Sequence, residues 1–138
     1  MQLDFWNNFR EYGQEKKTKL RLRKGNPQHW YDISLGNSES HICLTINTQT
    51  DQLGCELYIS DSKDLFHELE KRKTEIEEEL NEKLDWMELP GKKASRIKLQ
   101  TDADLGDSNQ WPNHYEWLKT RAEKFHKVFS KNINQIRG

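Results

Sequence analysis

Three consecutive segments between residues 30 and 60 alternate apolar and polar side chains, and this period of two constrains the fold more than any other feature. The segments cover residues 30–35, 41–47 and 55–60. A strict alternation places one set of side chains on each face of a β-sheet, and short turn-rich links join neighbouring antiparallel strands. The region therefore predicts an antiparallel meander.

The apolar sets of the second and third segments also predict how these strands pair. Placing Ile46 opposite Cys55, and Ile42 opposite Ile59, aligns both apolar sets on one face. This register puts Cys43 and Cys55 on opposite faces, so no disulfide is expected between them. Neither cysteine belongs to a C-x-x-C pair, and each lies in an apolar stretch, which is typical of a buried free thiol.

Helical periodicity marks three further segments. Aromatic residues recur at helical spacing over residues 3–16, and Leu65, Leu69, Ile76 and Leu80 define the buried side of a helix that begins near Ser62. A last helix opens at Trp111-Pro112, with Leu118, Ala122, Phe125 and Phe129 on its buried face.

Two more strands are predicted at residues 84–89 and 94–99. The element order is then α-β-β-β-α-β-β-α. It predicts a single α+β domain over residues 1–138, with a mostly antiparallel sheet packed by aromatic-rich helices. The same order is compatible with a restriction-endonuclease-like core. Hydrophobic residues make up only 33% of the chain, but five Trp, five Phe and four Tyr supply a core.

The buried stripe of the predicted second helix is interrupted where Arg72 or Lys73 occupies the core-facing position. A cation there is costly unless it is paired or extends its stem to solvent. Extension to solvent is the favoured interpretation. The alternative is an inward cation that meets a carboxylate from the sheet, with Glu56 and Asp32 as candidates.

Charge is segregated along a chain whose formal net charge is only -1. Residues 10–24 hold seven bases and two acids, residues 61–88 hold five bases and eleven acids, and residues 116–138 hold six bases and two acids. Two basic segments can be the footprint of a nucleic-acid-binding protein. They are also compatible with solvated surface, or with pairing between the acidic helix and the basic ends.

Catalytic templates find no match in the sequence. It has no glycine-rich phosphate loop, no H-x-H or H-x-x-x-H spacing, and no recognisable nucleophile turn. A restriction-endonuclease core needs an acid-x-Lys motif in its third strand to hold Mg²⁺. Here Glu56 is followed by Tyr58 where the lysine would lie. We therefore expect no catalytic residue, cofactor or metal, with Glu56 and Mg²⁺ as the alternative for a divergent nuclease.

Strand positions opposite the predicted core bring aromatic and basic side chains together. They comprise Trp30, Asp32, His41, Thr45, Glu56, Tyr58, Arg96 and Lys98. Aromatics interleaved with cations are suited to base stacking and phosphate contact. The same pattern is suited to a sheet covered by the last helix, with Trp30 and Tyr58 buried, and this covered arrangement is favoured. The candidate binding residues are Trp30, Tyr58, Arg96, Lys98, Arg72 and Lys73.

Several short motifs are similar to those of a known family. They are Phe5-Trp6, Glu56-Leu57-Tyr58-Ile59, Ile76-Glu77, Leu84-x-Trp86 and Ala94-Ser95-Arg96-Ile97, with the aromatic-rich final helix around Trp117 and Phe125. Through them the chain resembles a bacterial family catalogued as domain of unknown function 4268. The family occurs alone or C-terminal to predicted nuclease-like domains, so the resemblance implies a nucleic-acid or defence context. It implies no established activity and no catalytic residues.

These observations favour a non-enzymatic binding module linked to bacterial nucleic-acid handling or defence, with nucleic acid or a protein as its partner. A divergent or degenerate nuclease and a structural protein–protein interaction domain are the alternatives. No run of about 18 apolar residues is present, so no membrane partner is expected. Residues 1–17 lack the pattern of a secretory signal, which predicts a cytoplasmic location.

Overall fold

The computed structural model describes residues 1–138. Its elements are α1 Gln2–Glu15, β1 Trp30–Ser34, β2 Ser40–Asn47, β3 Gln52–Ile59, α2 Lys63–Glu70, α3 Lys73–Leu80, β4 Asp85–Met87, β5 Ser95–Asp102 and α4 Trp111–Arg137. A 3₁₀ turn at Ser108–Gln110 leads into α4. The predicted α+β fold and its order of elements are confirmed, with the expected second helix divided into α2 and α3.

The five strands form one sheet in the order β1-β2-β3-β5-β4, and every neighbouring pair is antiparallel. β1, β2 and β3 are the predicted meander. The chain then passes through α2, α3 and β4 before β5 returns to pair with β3. This crossover makes β3 the central strand and places β5 directly beside it.

All four helices contribute to one core against a single face of the sheet. The core is a cluster of 27 buried side chains drawn from the strands and from every helix. Its aromatic part joins α1 to the sheet and to α4. Trp6 stacks on Tyr31 with ring centroids 5.2 Å apart, and Phe5 lies 4.9 Å from Tyr115. The few large aromatics thus supply burial that the low hydrophobic fraction alone would not.

The register of β2 and β3 differs by two residues from the predicted one. Ile46 lies opposite Leu53 and Ile42 opposite Leu57, because β3 begins at Gln52. The connecting turn is tight: the Asn47 side chain accepts hydrogen bonds from two backbone N–H groups, and Asp51 adopts a left-handed conformation with φ of 51°.

A shift of two residues keeps every side chain on its predicted face. Cys43 and Cys55 therefore lie on opposite faces, as expected, and both are buried free thiols.

The expected single helix is broken at Lys71 and Arg72, between α2 and α3. The Ser62 hydroxyl caps α2 by accepting from the Leu65 N–H. All four apolar positions predicted for this helix are buried, two on each side of the break. Arg72 Nη1 donates to Asn132 Oδ1 at 3.3 Å and to Gln135 Oε1 at 2.7 Å.

The alternative that a cation at this break meets a sheet carboxylate is therefore wrong. Arg72 is half-buried and contacts the amides of α4, and Lys73 is exposed. The carboxylates of Glu56 and Asp32 lie on the far side of the sheet and have other partners.

The favoured covered arrangement of the sheet is also wrong. The buried residues of α4 belong to the same core cluster as those of α1, so α4 packs on the same face of the sheet as the other helices. Trp30 is 38% exposed and Tyr58 is half-buried. A second helical layer would have buried both. No helix of the chain has the length and apolar composition needed to cross a bilayer.

Glu77 on α3 fixes the start of β4. Its Oε2 accepts from the Leu84 backbone N–H at 2.8 Å and from Trp86 Nε1 at 3.2 Å. Burial alone would raise the pKa of this carboxyl, but the two hydrogen bonds, together with the nearby charges of Lys73 and Lys83, outweigh burial and hold the pKa below its usual value. Such a carboxyl stabilises the fold above its ordinary pKa. The stabilisation is lost as the pH falls through the lower folded-state pKa.

We expect Glu77→Ala to lower the free energy of unfolding by about 1–2 kcal/mol near neutral pH, because two donors lose their acceptor. The deficit should begin to shrink below about pH 4, the ordinary pKa of a glutamate, and should disappear only below the lowered folded-state pKa, where the wild-type carboxyl is itself protonated. Urea unfolding at both pH values measures the effect. Glu78→Ala, at the exposed neighbouring position, is the matched control, and equal losses from the two substitutions would contradict the assigned role of Glu77.

Candidate binding face

The face of the sheet opposite the helices, here called the open face, carries the alternate side chains of all five strands. Cross-strand pairing sets them in rows: Asp32, Cys43, Glu56 and Lys98 form one row, and His41, Tyr58 and Arg96 form the next. Trp30 lies at the β1 edge. Alternate side chains of each strand thus face either the largely aliphatic core or the polar, aromatic open face.

A buried ion pair lies at the centre of the open face. The side chain of Glu56 is only 2% exposed, and Arg96 Nη1 reaches its two carboxylate oxygens at 2.8 and 2.9 Å. The guanidinium carbon of Arg96 also lies 4.8 Å from the ring centroid of Tyr58. These two contacts fix the guanidinium in place. Nε and Nη2 make no hydrogen bond within the chain and remain available as donors.

The aromatic row continues from Tyr58 towards β1 through a His–Asp pair. The His41 ring lies 5.2 Å from that of Tyr58, and His41 Nε2 lies 3.3 Å from Asp32 Oδ1. This hydrogen bond lowers the pKa of Asp32 more than burial raises it, and the nearby Arg23 cation adds to the lowering. Asp32 is therefore ionised and engaged at neutral pH.

Cys43 lies between Asp32 and Glu56 on the floor of the open face and is 7% exposed. Burial raises the pKa of its thiol, and the neighbouring carboxylates raise it further. The thiol therefore stays protonated, and the proximity of His41 does not make Cys43 an activated nucleophile.

Trp30 is the most exposed aromatic ring of the open face. In the amide orientation that satisfies both donors, Gln28 Oε1 accepts from Trp30 Nε1 at 3.0 Å and from Arg23 Nη2 at 3.3 Å. The His29 ring meets the indole edge-on at 4.9 Å. The indole is thus anchored along its polar edge, which leaves ring surface open to solvent.

Two hollows lie end to end on the open face. One, of about 430 Å³, is lined by Trp30, Tyr58 and Arg96 together with His41 and Cys43. The other, of about 440 Å³, is rich in amide and basic side chains, among them Lys98, Gln100 and Asn47. Arg96, His29 and Thr45 line both hollows, so together they form a continuous trough with an aromatic end and a polar end.

The two basic segments of the sequence differ in how many of their cations form ion pairs. Four of the six cations in residues 116–138 are in ion pairs, three of them with acids of residues 61–88: Arg121 with Glu82, Lys131 with Glu79, and Arg137 with Asp64. Pairing between the acidic region and this basic end is thus confirmed. The C-terminal charge is largely used within the fold.

Residues 16–24, here called the basic connection, are different. They form an irregular segment without a strand, and none of their six cations has a carboxylate within 4.0 Å. All but Arg23 are exposed. Arg23 Nε donates to the Asp32 carbonyl at 3.3 Å, and the Tyr31 hydroxyl donates to the Arg23 carbonyl at 2.5 Å. The end of the basic connection therefore lies along the edge of β1, beside Trp30.

The structure brings most of the sequence-predicted site residues onto one surface. Trp30, Tyr58, Arg96, Lys98 and the alternative catalytic residue Glu56 share the open face. Arg72 and Lys73 lie at the α2–α3 break on the other side of the sheet. The nuclease alternative receives little support from this geometry, because the Glu56 carboxylate is occupied by Arg96. No group of three or more His, Cys, Asp or Glu side chains is arranged to hold a metal ion.

Sequence reasoning missed several residues of the trough and its rim, among them Gln28, His29 and Gln100. The first two precede the predicted start of β1, so no alternation marked them. Gln100 lies beyond the predicted end of the fifth strand, although it continues the polar side of Arg96 and Lys98 at the next alternate position. That alternation was the available signal.

Comparison with known proteins returned one match. The family model described as Domain of unknown function (DUF4268) matches residues 1–133. No curated protein and no solved structure matches the chain.

Proposed function

The chain belongs to the DUF4268 family, whose description assigns no activity, and we propose from the geometry of the open face that it binds single-stranded nucleic acid. The observation that carries the proposal is the exposed ring of Trp30 on an uncovered sheet. The same face presents Arg96 and Lys98 on β5, and the unpaired basic connection lies next to Trp30. An aromatic ring supplies a stacking platform, and the cations supply phosphate contacts.

A single strand fits this surface better than a duplex. Bases in a duplex are stacked on one another and cannot present a free face to Trp30, whereas an unpaired base can be splayed onto the ring. The trough is built on a sheet and offers no helix or ribbon to enter a major groove. Its aromatic end suits a base, and its polar end, with Lys98 and Gln100, suits the sugar and phosphate that follow.

The charge balance supports binding of an anion at this surface. The carboxylate of Glu56 is buried and neutralised by Arg96, and that of Asp32 is engaged by His41. Lys98 has no ion-pair partner, and the basic connection adds cations that are equally free. At the β4 edge the exposed Asp85 lies across from Lys98 and offsets its charge. The open face is thus cationic along its β1 edge, beside the basic connection, where a phosphate backbone would pass.

The biological role that we propose is nucleic-acid binding without catalysis, in or beside a bacterial nucleic-acid-handling or defence system in the cytoplasm. The resemblance to modules that occur behind predicted nuclease-like domains agrees with this role. A metal-dependent nuclease would have to release Glu56 from Arg96 before the carboxylate could hold Mg²⁺.

The direct test is fluorescence anisotropy of a labelled oligonucleotide of about 16 nucleotides, at the upper end of the site sizes known for single modules. Unlabelled single strands and the matching duplex serve as competitors. We expect the single strand to bind more tightly, and the affinity to fall with salt by a slope of about -0.7 per phosphate contacted. Absence of binding at micromolar protein in low salt would overturn the proposal. Mg²⁺-dependent cleavage abolished by Glu56→Gln would establish the nuclease alternative instead.

Neutralising two cations of the basic connection should weaken this binding in a salt-dependent way. For Lys19→Gln combined with Arg21→Gln, we expect the salt slope to become shallower by about 1.4, since each phosphate contact contributes about 0.7. Lys124→Gln combined with Lys127→Gln removes the same charge from exposed, unpaired positions on α4. If this control changed the slope as much, the contacts would not lie at the basic connection.

A further inference from the structure

The aromatic end of the trough is a depression with a floor of small side chains. Cys43 and Thr45 on β2 line it, and Gly54 lies opposite Thr45 on β3. A Cβ added to Gly54 would collide with Thr45 Oγ1, so the threonine uses the room that the glycine leaves. Trp30 lies opposite Thr45 on β1. The volume of about 430 Å³ is within the range of about 300–1,000 Å³ typical of small-molecule clefts, so one base of a strand fits there.

One polar group of this lining is the carboxylate of Asp32. Its Oδ1 lies 3.3 Å from His41 Nε2, and the Cys43 thiol is a second donor to the same carboxylate. A carboxylate has about four acceptor positions on its two oxygens, so these two donors leave about two positions unused. The side chain is 42% exposed, so a ligand can reach them. Because an ionised carboxylate only accepts hydrogen bonds, Asp32 selects a ligand edge made of donors.

The second polar group is the guanidinium of Arg96, which has the opposite character. It lies over β3, held by Glu56 and the Tyr58 ring, and its Nε and Nη2 make no hydrogen bond within the chain and are not shielded from solvent. A guanidinium only donates hydrogen bonds. Asp32 belongs to β1, which lies two strand spacings, or about 10 Å, from β3. The depression therefore has an acceptor on its β1 side and donors on its β3 side.

Resting on the single-strand binding proposed above, we propose that the aromatic end of the trough selects guanine over the other bases. Guanine carries two adjacent donors, N1–H and the N2 amino group, which match the carboxylate of Asp32. Its O6 and N7 are two adjacent acceptors, which match the free N–H groups of Arg96. Adenine and cytosine place an acceptor beside their amino group, and thymine and uracil have a single N–H between two carbonyls. Guanine alone is complementary to both groups while its ring stacks on Trp30.

The test is a competition, followed by fluorescence anisotropy, between thymidine oligonucleotides that differ only in one central base. We expect a central guanine to bind the wild-type chain about tenfold more tightly than a central adenine, which is also a purine and has a similar stacking surface; this is the range of one bidentate contact. Two analogues report on the two contacts. Hypoxanthine lacks the N2 amino group that faces Asp32, and 7-deazaguanine lacks the N7 acceptor that faces Arg96. Each should lose most of the gain over adenine.

Matched variants locate the contact. Asp32→Asn replaces one acceptor oxygen with a donor, so it should abolish the preference for guanine while the adenine oligonucleotide still binds. Asp85→Asn changes an exposed carboxylate at the β4 edge of the same face and should keep the preference.

The outcomes separate the two proposals. Equal binding of guanine and adenine by the wild-type chain, or a preference that survives Asp32→Asn, would overturn guanine selection and leave single-strand binding standing. Failure of every oligonucleotide to bind would overturn both.

Discussion

Arg96→Met is expected to lower the free energy of unfolding by about 3 kcal/mol, several times the loss expected from Glu56→Gln. The two partners of this ion pair differ in exposure: the side chain of Arg96 is 36% exposed and that of Glu56 is 2% exposed. Removal of Arg96 leaves a carboxylate buried without a partner, which typically costs 3–5 kcal/mol when desolvation is complete. We expect the lower end of this range, because solvent reaches the position of the guanidinium.

The reverse substitution is milder for the same reason. In Glu56→Gln the amide oxygen still accepts a hydrogen bond from Arg96, and the guanidinium can turn its charge towards solvent. A loss of about 1 kcal/mol follows from one weakened hydrogen bond. The double variant should be more stable than the sum of the single losses predicts, by about 2 kcal/mol, since it no longer buries an unpaired charge.

Urea unfolding of the single and double variants measures this coupling. Lys98→Met is the matched control, because Lys98 occupies the cross-strand position opposite Glu56 on the same strand as Arg96 and has no ion-pair partner. We expect it to change stability by less than about 0.5 kcal/mol. If Arg96→Met and Lys98→Met were equally mild, the Glu56–Arg96 pair would not be what stabilises the centre of the open face.

The faces of the sheet could be predicted from the sequence, because a period of two is a local property. Once residues 30–60 alternate, the assignment of Ile42 and Leu44 to one side and Cys43 to the other does not depend on pairing. The register did depend on pairing, and it was wrong by two residues. It was set by the turn after Asn47, where side-chain hydrogen bonds and a left-handed Asp51 shorten the loop.

Two features of the site required long-range information. Glu56 and Arg96 are 40 residues apart in the sequence. They meet only because β5 pairs with β3 as well as with its sequence neighbour β4. Whether a helix covers the second face of the sheet also depends on contacts between residues far apart in the sequence. Trp30 and Tyr58 carry enough apolar surface to suit either a covered or an open face, and the packing of all four helices against the more aliphatic side decided between the two.

Some residues of the open face stabilise the fold, and others are free to bind a ligand. Arg96 serves both purposes, since one nitrogen holds Glu56 while Nε and Nη2 make no hydrogen bond within the chain. A loss of nucleic-acid binding in Arg96→Met would therefore be ambiguous. Trp30 is a cleaner probe, because it lies at the edge of the sheet outside the core cluster.

Trp30→Ala is accordingly expected to weaken binding of single-stranded nucleic acid by about 1–3 kcal/mol, or roughly 5- to 150-fold, the usual effect of removing one stacking platform. The free energy of unfolding should change little, since the ring is already 38% exposed. Because stacking is not ionic, the salt slope should keep its wild-type value, unlike that of the variants in the basic connection.

Anisotropy titrations at two salt concentrations separate these effects. Trp30→Phe retains an aromatic face and should recover most of the affinity, whereas Trp117→Ala removes a half-exposed tryptophan from α4 and should leave binding unchanged. A Trp30→Ala variant that binds like the wild type would mean that the bases do not stack at this edge. The electrostatic contacts of the basic connection and Lys98 would then have to account for the whole affinity, and the trough between Trp30 and Arg96 would need a different ligand.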